Sequence, residues 1–194
     1  ERAEKLDTIV FDKTGTLTMG KPEVADVLLA PATKLDAEQL LALAGSLEKG
    51  SEHPLAQAVV AEAKRRGLKL KTPDDFHALP GFGVEGKVDD QKVLLGNKRL
   101  MVENQIDISS IDDQLVKLTE NGKTPMILCV DGQVAGLLAT TDALKPHAKE
   151  NILHLKKMGL EVVMLTGDNS NTAQTVAGQL GIDRVVAEVL PSGK

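Results

Sequence analysis

The sequence predicts an α/β fold in which a parallel-sheet domain is interrupted by an inserted α+β domain. Three observations point to it. Thr8-Ile9-Val10-Phe11 is a short apolar run ending in Asp12-Lys13-Thr14-Gly15-Thr16-Leu17-Thr18, the pattern of a buried strand feeding an exposed loop. Near the other end, the order is helix (about 146–158), strand (about 160–165), helix (about 170–180), strand (about 184–187). The stretch between reads as strands and helix pairs without that rhythm. A βαβ pattern resumed after an unrelated middle places 1–21 and 140–194 in one discontinuous domain and 22–139 in the other.

Composition narrows the function before any motif is considered. A chain of 194 residues suits one large domain or two modest ones. Lys and Arg number 23 against 28 Asp and Glu, a net charge of −5, which argues against a general nucleic-acid binder. There is no Trp or Tyr, and Phe occurs only three times, so no aromatic platform is available for stacking bases. An adenine would have to lie against aliphatic side chains and glycine backbone. The single cysteine, Cys129, sits in the core-like run Met126–Val130 and cannot form an internal disulfide. No stretch approaches the roughly 18 apolar residues of a membrane helix, and no signal peptide is visible.

In chain order, Glu1 to Lys5 is a charged lead-in. In an open α/β sheet, chemistry sits just outside the carboxyl ends of strands, where Asp12 falls. Gly15 allows close backbone approach to a phosphate, and Thr14, Thr16 and Thr18 add donors. A carboxylate so placed can form an aspartyl phosphate. A plain turn with a capping Asp would explain a lone D-x-T, but the seven-residue string is far rarer. Met19-Gly20-Lys21-Pro22 then fits a crossover between domains.

The insertion opens with a strand at Val24–Leu29. Asp36 caps a helix from Ala37 to about Leu47, with Leu40, Leu43, Ala44 and Leu47 at helical spacing. In Glu48-Lys49-Gly50-Ser51-Glu52-His53-Pro54-Leu55-Ala56, Pro54 suits the first turn of a helix reaching about Arg66. His53 then stands at the helix entrance, where a cap is the ordinary role. Phe76–Leu79 reads as a strand leading into Pro80-Gly81-Phe82-Gly83-Val84, whose paired glycines permit close approach to a ligand or simply a tight turn. Val84–Val88 and Lys92–Leu95 form a hairpin about Asp89-Asp90-Gln91, and Gly96-Asn97 opens a short helix through Met101. Ile111–Glu120 is amphipathic, with Leu115 and Leu118 inward. Thr124–Val130 and Gln133–Ala139 flank Asp131-Gly132, a strong hairpin signal.

Thr140-Thr141-Asp142-Ala143-Leu144-Lys145-Pro146 returns the chain to the first domain. His147 and His154 are assigned to one helix and read as solvated. The strand at Leu160–Leu165 ends in Thr166-Gly167-Asp168-Asn169, again strand, hydroxyl, glycine and carboxylate before a helix N-terminus that favours an anion.

These strings together resemble the P-type ATPases. The Asp12–Thr18 string is similar to their phosphorylation motif, and Ser51–Ala56 looks like the nucleotide-domain motif of the heavy-metal-transporting subfamily, copper exporters most of all. The resemblance implies a haloacid-dehalogenase-like phosphorylation domain interrupted by a nucleotide-binding domain. It implies ATP and Mg²⁺ as cofactors, with Asp12 phosphorylated, and Asp12 and the Thr14 carbonyl as metal ligands. Lys13, Thr166, Gly167, Asp168 and Lys194 would complete the phosphoryl site. Glu48, His53, Gly81, Gly83, Gly96 and Asn97 would hold the nucleotide.

Partners implied are ATP and ADP, an actuator domain, a transmembrane metal pathway and a metal chaperone, at the cytoplasmic face of a membrane, with this chain monomeric. The family's Gly-Asp-Gly-x-x-Asn-Asp segment is not in this chain, so ATP binding with little turnover is the expectation. Zinc or cadmium is the alternative cargo. A free-standing phosphatase of the haloacid-dehalogenase type is the rival enzyme, although Thr14 occupies the position where such enzymes carry a second aspartate. A plain nucleotide-binding module is the non-enzymatic rival.

Overall fold

Apolar residues in the middle of the chain alternate so that successive side chains serve two cores, one on each face of a sheet. Six strands make that sheet: β2 (Glu23–Leu29), β3 (Asp74–Leu79), β4 (Gly83–Val88), β5 (Gln91–Gly96), β6 (Thr124–Val130) and β7 (Gln133–Thr141), in the order β2-β7-β6-β5-β4-β3. The computed structural model describes residues 6–189. On one face Val93, Leu95, Met126 and Leu128 pack with Leu40, Leu41, Leu47 and Val59, from helices α1 (Ala37–Leu47) and α2 (Pro54–Arg65). On the other, Leu94, Ile127 and Cys129 meet Leu100, Met101 and Leu118, from α3 (Lys98–Glu103) and α4 (Asp112–Glu120). The period-2 pattern of a strand thus supplies both cores at once.

Local chemistry sets the element ends. Asp36 caps α1 by accepting from the Gln39 amide at 2.8 Å while the Gln39 side chain accepts from the Asp36 amide at 2.9 Å, a reciprocal capping box. Asp89 and Asp90 both take positive φ (54° and 62°), as do Asp131 and Gly132 (48° and 78°), the geometry of tight hairpin turns whose twist matches the strands. The first hairpin is tighter than its sequence indicates, because Gln91 already pairs with Val88. Strand β7 runs on to Thr141 rather than stopping at Ala139, since it continues to pair with β2 as far as Glu23.

The second sheet is parallel, in the order β1 (Thr8–Asp12), β8 (Glu161–Leu165), β9 (Arg184–Val186), with helices α5 (Ala148–Lys157) and α6 (Ser170–Leu180). Its core gathers Leu17, Ile152, Val162, Met164, Ala173 and Leu180. α5 begins one residue after His147, which takes a left-handed conformation with φ 62° and pairs with Glu150 at 2.8 Å. His147 and His154 therefore do not share a helix, and periodicity alone carries no signal for that break.

The chain divides into two compact units. One holds residues up to Lys21, Thr119–Thr124 and Asp142 onward, and the other Pro22–Leu118 and Pro125–Thr141. No helix among the described residues is long and apolar enough to cross a membrane.

Candidate functional site

In the unit with the parallel sheet, Asp12 is the last residue of β1 and stands in register with Leu165, the last residue of β8. The loops after both strands therefore leave the sheet side by side, as parallel pairing requires. Asp12 is half-buried, while Thr14, Gly15 and Thr16 are exposed. Gly15 turns the chain with φ 78°, a conformation that costs glycine little.

Lys13 folds inward instead. It is 7% exposed, and its ammonium forms an ion pair with Asp168 from the second loop. A charge buried to that degree is costly without a partner. Removing one member of such a pair costs roughly 3–5 kcal/mol. Asp168 is thus the anchor that lets Lys13 turn under the Asp12 loop. The Asp168 amide donates to Thr166 Oγ1 at 3.1 Å, and Thr124 Oγ1 donates to Asp168 Oδ1 at 3.4 Å. Thr166 is buried, its amide held by the Val186 carbonyl at 2.9 Å. Asn169 caps α6 by accepting from the Thr172 amide at 3.0 Å. The structure brings Asp12, Lys13, Thr14, Thr166, Gly167 and Asp168 to one end of this sheet. Lys194 lies outside the described residues.

The return crossover adds residues that sequence reading left without a role. Asp142 Oδ2 accepts from Thr18 Oγ1 at 2.6 Å and from the Gly20 amide at 3.2 Å, while Oδ1 accepts from the Lys21 amide at 3.2 Å. Thr18 Oγ1 in turn accepts from the Gly15 amide at 3.2 Å. Lys145 Nζ donates to the Gly15 carbonyl at 2.6 Å. One carboxylate and one ammonium from the return crossover therefore hold the loop that follows Asp12. The only sequence signal for them was charge set within an otherwise crossover-like stretch.

For a divalent cation, the donors at hand are the Asp12 carboxylate and the exposed Thr14 backbone. Hard oxygen ligands of this kind suit Mg²⁺, which keeps several waters and commonly binds through one or two carboxylates and phosphate oxygens. Among the described residues no three His, Cys, Asp or Glu gather around one point.

In the other unit, Glu48 follows the last residue of α1 and opens a single 3₁₀ turn, Glu48–Gly50. It is 7% exposed, and its Oε2 has no hydrogen-bond partner among the described residues. Burial pushes its carboxyl up to about 7, partly offset by a hydrogen bond with Ser51. His53 is the N-cap of α2, its Nδ1 accepting from the Leu55 amide at 3.2 Å. Although the ring is exposed by area, neighbouring atoms desolvate it enough to lower its pKa. With Nδ1 used as the cap acceptor, Nε2 of the neutral ring carries the proton.

Gly81, Gly83, Gly96 and Asn97 form a second cluster. Asn97 Nδ2 donates to the Gly81 carbonyl at 2.8 Å, and its Oδ1 accepts from the Leu100 amide at 3.1 Å. Gly83 and Gly96 face each other across β4 and β5. A Cβ on Gly83 would stand 2.2 Å from the Leu95 carbonyl oxygen, and one on Gly96 2.3 Å from that of Phe82. Both glycines therefore have a packing reason to be glycine, which the G-x-G spacing could not distinguish from a ligand-facing one. Leu47, next to Glu48, would lie 3.0 Å from a Cβ on Gly86 of β4, so the end of α1 rests on the hairpin that carries these glycines.

Comparisons with known proteins agree with this architecture. The pattern of haloacid dehalogenase-like hydrolases matches residues 6–194. A copper-exporting P-type ATPase of Staphylococcus aureus (strain bovine RF122 / ET3-1) is 46% identical over all of this chain, which spans 23% of that relative's length. Among solved structures, the catalytic domain of the CPx-ATPase CopB-B superposes with a TM-score of 0.71 at 28% identity, covering 98% of this chain and 64% of that one. A zinc-transporting PIB-type ATPase in an E2.Pi state gives 0.67 at 34%, covering 97% and 30%. The chain thus belongs to the haloacid dehalogenase-like hydrolase family and is similar, over its whole length, to the catalytic part of heavy-metal P-type ATPases.

Proposed function

We propose that this chain is the ATP-binding and phosphorylation part of a heavy-metal pump, and that the γ-phosphoryl group of ATP passes to Asp12 to drive export of Cu(I). The observation that carries the reading is the convergence of the Asp12 loop and the Thr166–Asp168 loop at one end of a parallel sheet, joined by the buried Lys13–Asp168 pair.

In this reading a carboxylate oxygen of Asp12 attacks the γ-phosphorus in line and ADP leaves. Phosphoryl transfer of this kind is mostly positioning and charge neutralisation. Thr14 contributes its hydroxyl to the phosphoryl group, and Thr166 and Gly167 bind its oxygens. Lys13 and Asp168 hold the two loops in place. Asp12 and the Thr14 carbonyl would hold Mg²⁺, which when bound offsets the repulsion between the carboxylate and the phosphates. The exposed Thr14 stands where a hydrolytic phosphatase would carry a general acid/base, so the acyl phosphate outlives its formation, as coupling to motion requires.

Glu48 faces the adenine, His53 orients the nucleotide from the N-terminus of α2, and Gly81, Gly83, Gly96 and Asn97 form the backbone wall beside it. The partners are ATP and ADP, an actuator domain, a transmembrane metal pathway and a metal chaperone, at the cytoplasmic face of a membrane. Copper as cargo is supported by the curated relatives, whereas the zinc-transporting neighbour supports zinc. Lys194 is included as the phosphate-neutralising lysine.

The nucleotide half is tested by adding MgATP to the isotopically labelled chain. Amide shifts should concentrate at Glu48, His53, Gly81 and Gly83, in wild type and in Asp12→Asn alike. Silence at those four positions would refute it.

A further inference from the structure

The turn between α4 and β6 is encoded in the middle of the insertion, yet Thr119–Thr124 belongs to the same compact unit as the parallel sheet. Side chains of α6 seat it there. Thr172 Oγ1, which is buried, donates to the Lys123 carbonyl at 2.7 Å and accepts from Asn169 Nδ2 at 2.9 Å. Thr175 Oγ1 stands 3.4 Å from the carbonyls of Thr119 and Glu120. A Cβ on Gly122 would meet methyl carbons of Thr175 and Val176 at 3.4 and 3.6 Å, so the two surfaces are in close contact. Asn169 both caps α6 and directly follows Asp168. The turn is thereby fixed to the helix whose N-terminus carries the Thr166–Asp168 loop.

This seat brings a hydroxyl to the phosphoryl site. Thr124, next to the anchored Lys123 carbonyl, donates from Oγ1 to Asp168 Oδ1 at 3.4 Å, while Asp168 Oδ2 takes the Lys13 ammonium. One carboxylate oxygen thus faces the turn and the other faces the Asp12 loop. The terminal torsion of an aspartate is soft, so a carboxylate held by one oxygen alone can swing and carry its partner with it. Engaging both oxygens removes that freedom. We propose that Thr124 is a positioning residue for phosphoryl transfer: its hydroxyl fixes the rotation of Asp168, which fixes Lys13 beneath the Asp12 loop. This rests on Asp12 being the acceptor, as in the proposed function, and adds a residue that lies in neither the Asp12–Thr18 string nor the Thr166–Asn169 string. Placement matters because a shift of about 1 Å can slow a reaction by about 10²-fold.

The test compares Thr124→Val, which keeps the shape and loses the hydroxyl, with Thr124→Ser, which keeps the hydroxyl. In the chain itself, amide hydrogen exchange is followed at Asp168 and at Glu188, whose amide donates to the Asp168 carbonyl at 2.9 Å. Exchange at both should quicken by about fivefold or more in Thr124→Val, the loss of a bond to a charged group. Amides of β8 should be unchanged, and Thr124→Ser should exchange as wild type does. In a pump of the relatives' full length that carries this chain, Thr124→Val should slow Asp12 labelling from saturating γ-labelled ATP by about fivefold or more. The ATP concentration giving half that rate should not change, as when only the transfer step is affected, and Thr124→Ser should recover the rate. Unchanged exchange in Thr124→Val, equal slowing in both variants, or a defect confined to ATP affinity overturns the inference. So does quickened exchange with labelling at the wild-type rate. Exchange needs no nucleotide. A wild type that shows the exchange pattern but carries no label on Asp12 therefore refutes the proposed function, and the transfer role with it.

Discussion

Glu48 and Glu62 push the stability of this protein in opposite directions as pH changes. The Glu48 carboxyl is held up at about 7 by burial, and the hydrogen bonds from Arg65 and Arg66 hold Glu62 down at about 2. A raised carboxyl binds its proton more tightly folded than unfolded. Its stabilising contribution is complete below the unfolded value of about 4.5 and is lost as pH rises towards 7. The size of that loss is roughly 3 kcal/mol, since each tenfold change in proton affinity is worth about 1.36 kcal/mol. A depressed carboxyl does the reverse: Glu62 stabilises fully above about 4.5 and loses that contribution as pH falls through 2. Between pH 5 and pH 8 the Glu62 contribution is constant and the Glu48 contribution falls as pH rises. His53, its pKa lowered by desolvation, acts in the opposite sense, so the Glu48→Gln variant isolates the Glu48 part. Urea unfolding should show wild type weakening over that interval and Glu48→Gln more stable than wild type at pH 8, by roughly 1–3 kcal/mol. Equal losses in both proteins would mean that Glu48 does not titrate there.

Between elements, the decisive carboxylate is Asp142, which ties the outgoing crossover to the returning one. Its three bonds, to Thr18, Gly20 and Lys21, flank a short antiparallel pairing in which the Met19 amide donates to Ala143 and the Lys145 amide donates to Leu17. Hydrogen bonds to a charged group contribute about 1.5–3 kcal/mol each, and less where solvent reaches them, as at Lys21. Because Thr18 also takes the Gly15 amide, loosening Asp142 loosens the loop after Asp12. Asp142→Ala should speed amide hydrogen exchange at Gly15, Gly20 and Lys21 by at least tenfold while leaving amides of β5 and β6 unchanged. Unaltered exchange at the first three would show that the crossover pairing holds without it.

Elements bounded by local chemistry were legible in the sequence. α1 begins where the Asp36 cap predicts, and the Asp131-Gly132 hairpin lies where its turn residues predict. Boundaries set by a distant partner were not. β7 overruns its predicted end because β2, more than a hundred positions earlier, keeps pairing with it. The left-handed break at His147 has no composition cue at all.

For the molecule as a whole, the string of residues identified the chemistry more readily than it explained each residue. Asp12, Lys13, Thr14, Thr166, Gly167 and Asp168 come together because two loops leave adjacent parallel strands, which the repeated strand–hydroxyl–glycine–carboxylate pattern foreshadowed. The salt link between Lys13 and Asp168, and the hold of Asp142 and Lys145 on the loop, depend on side-chain direction across loops and crossovers far apart in sequence. Periodicity and spacing do not report that. Gly83 and Gly96 were legible as special positions, but only the register of β4 on β5 shows the carbonyls that exclude a side chain there. The central claim remains that Asp12 accepts a phosphoryl group. It is tested most directly by incubating γ-labelled ATP and Mg²⁺ with a pump of the relatives' full length that carries this chain, then mapping the acid-stable label. The account predicts label on Asp12, sensitive to hydroxylamine as an acyl phosphate should be, and none in Asp12→Asn. Label on another residue, or undiminished label in Asp12→Asn, would contradict it.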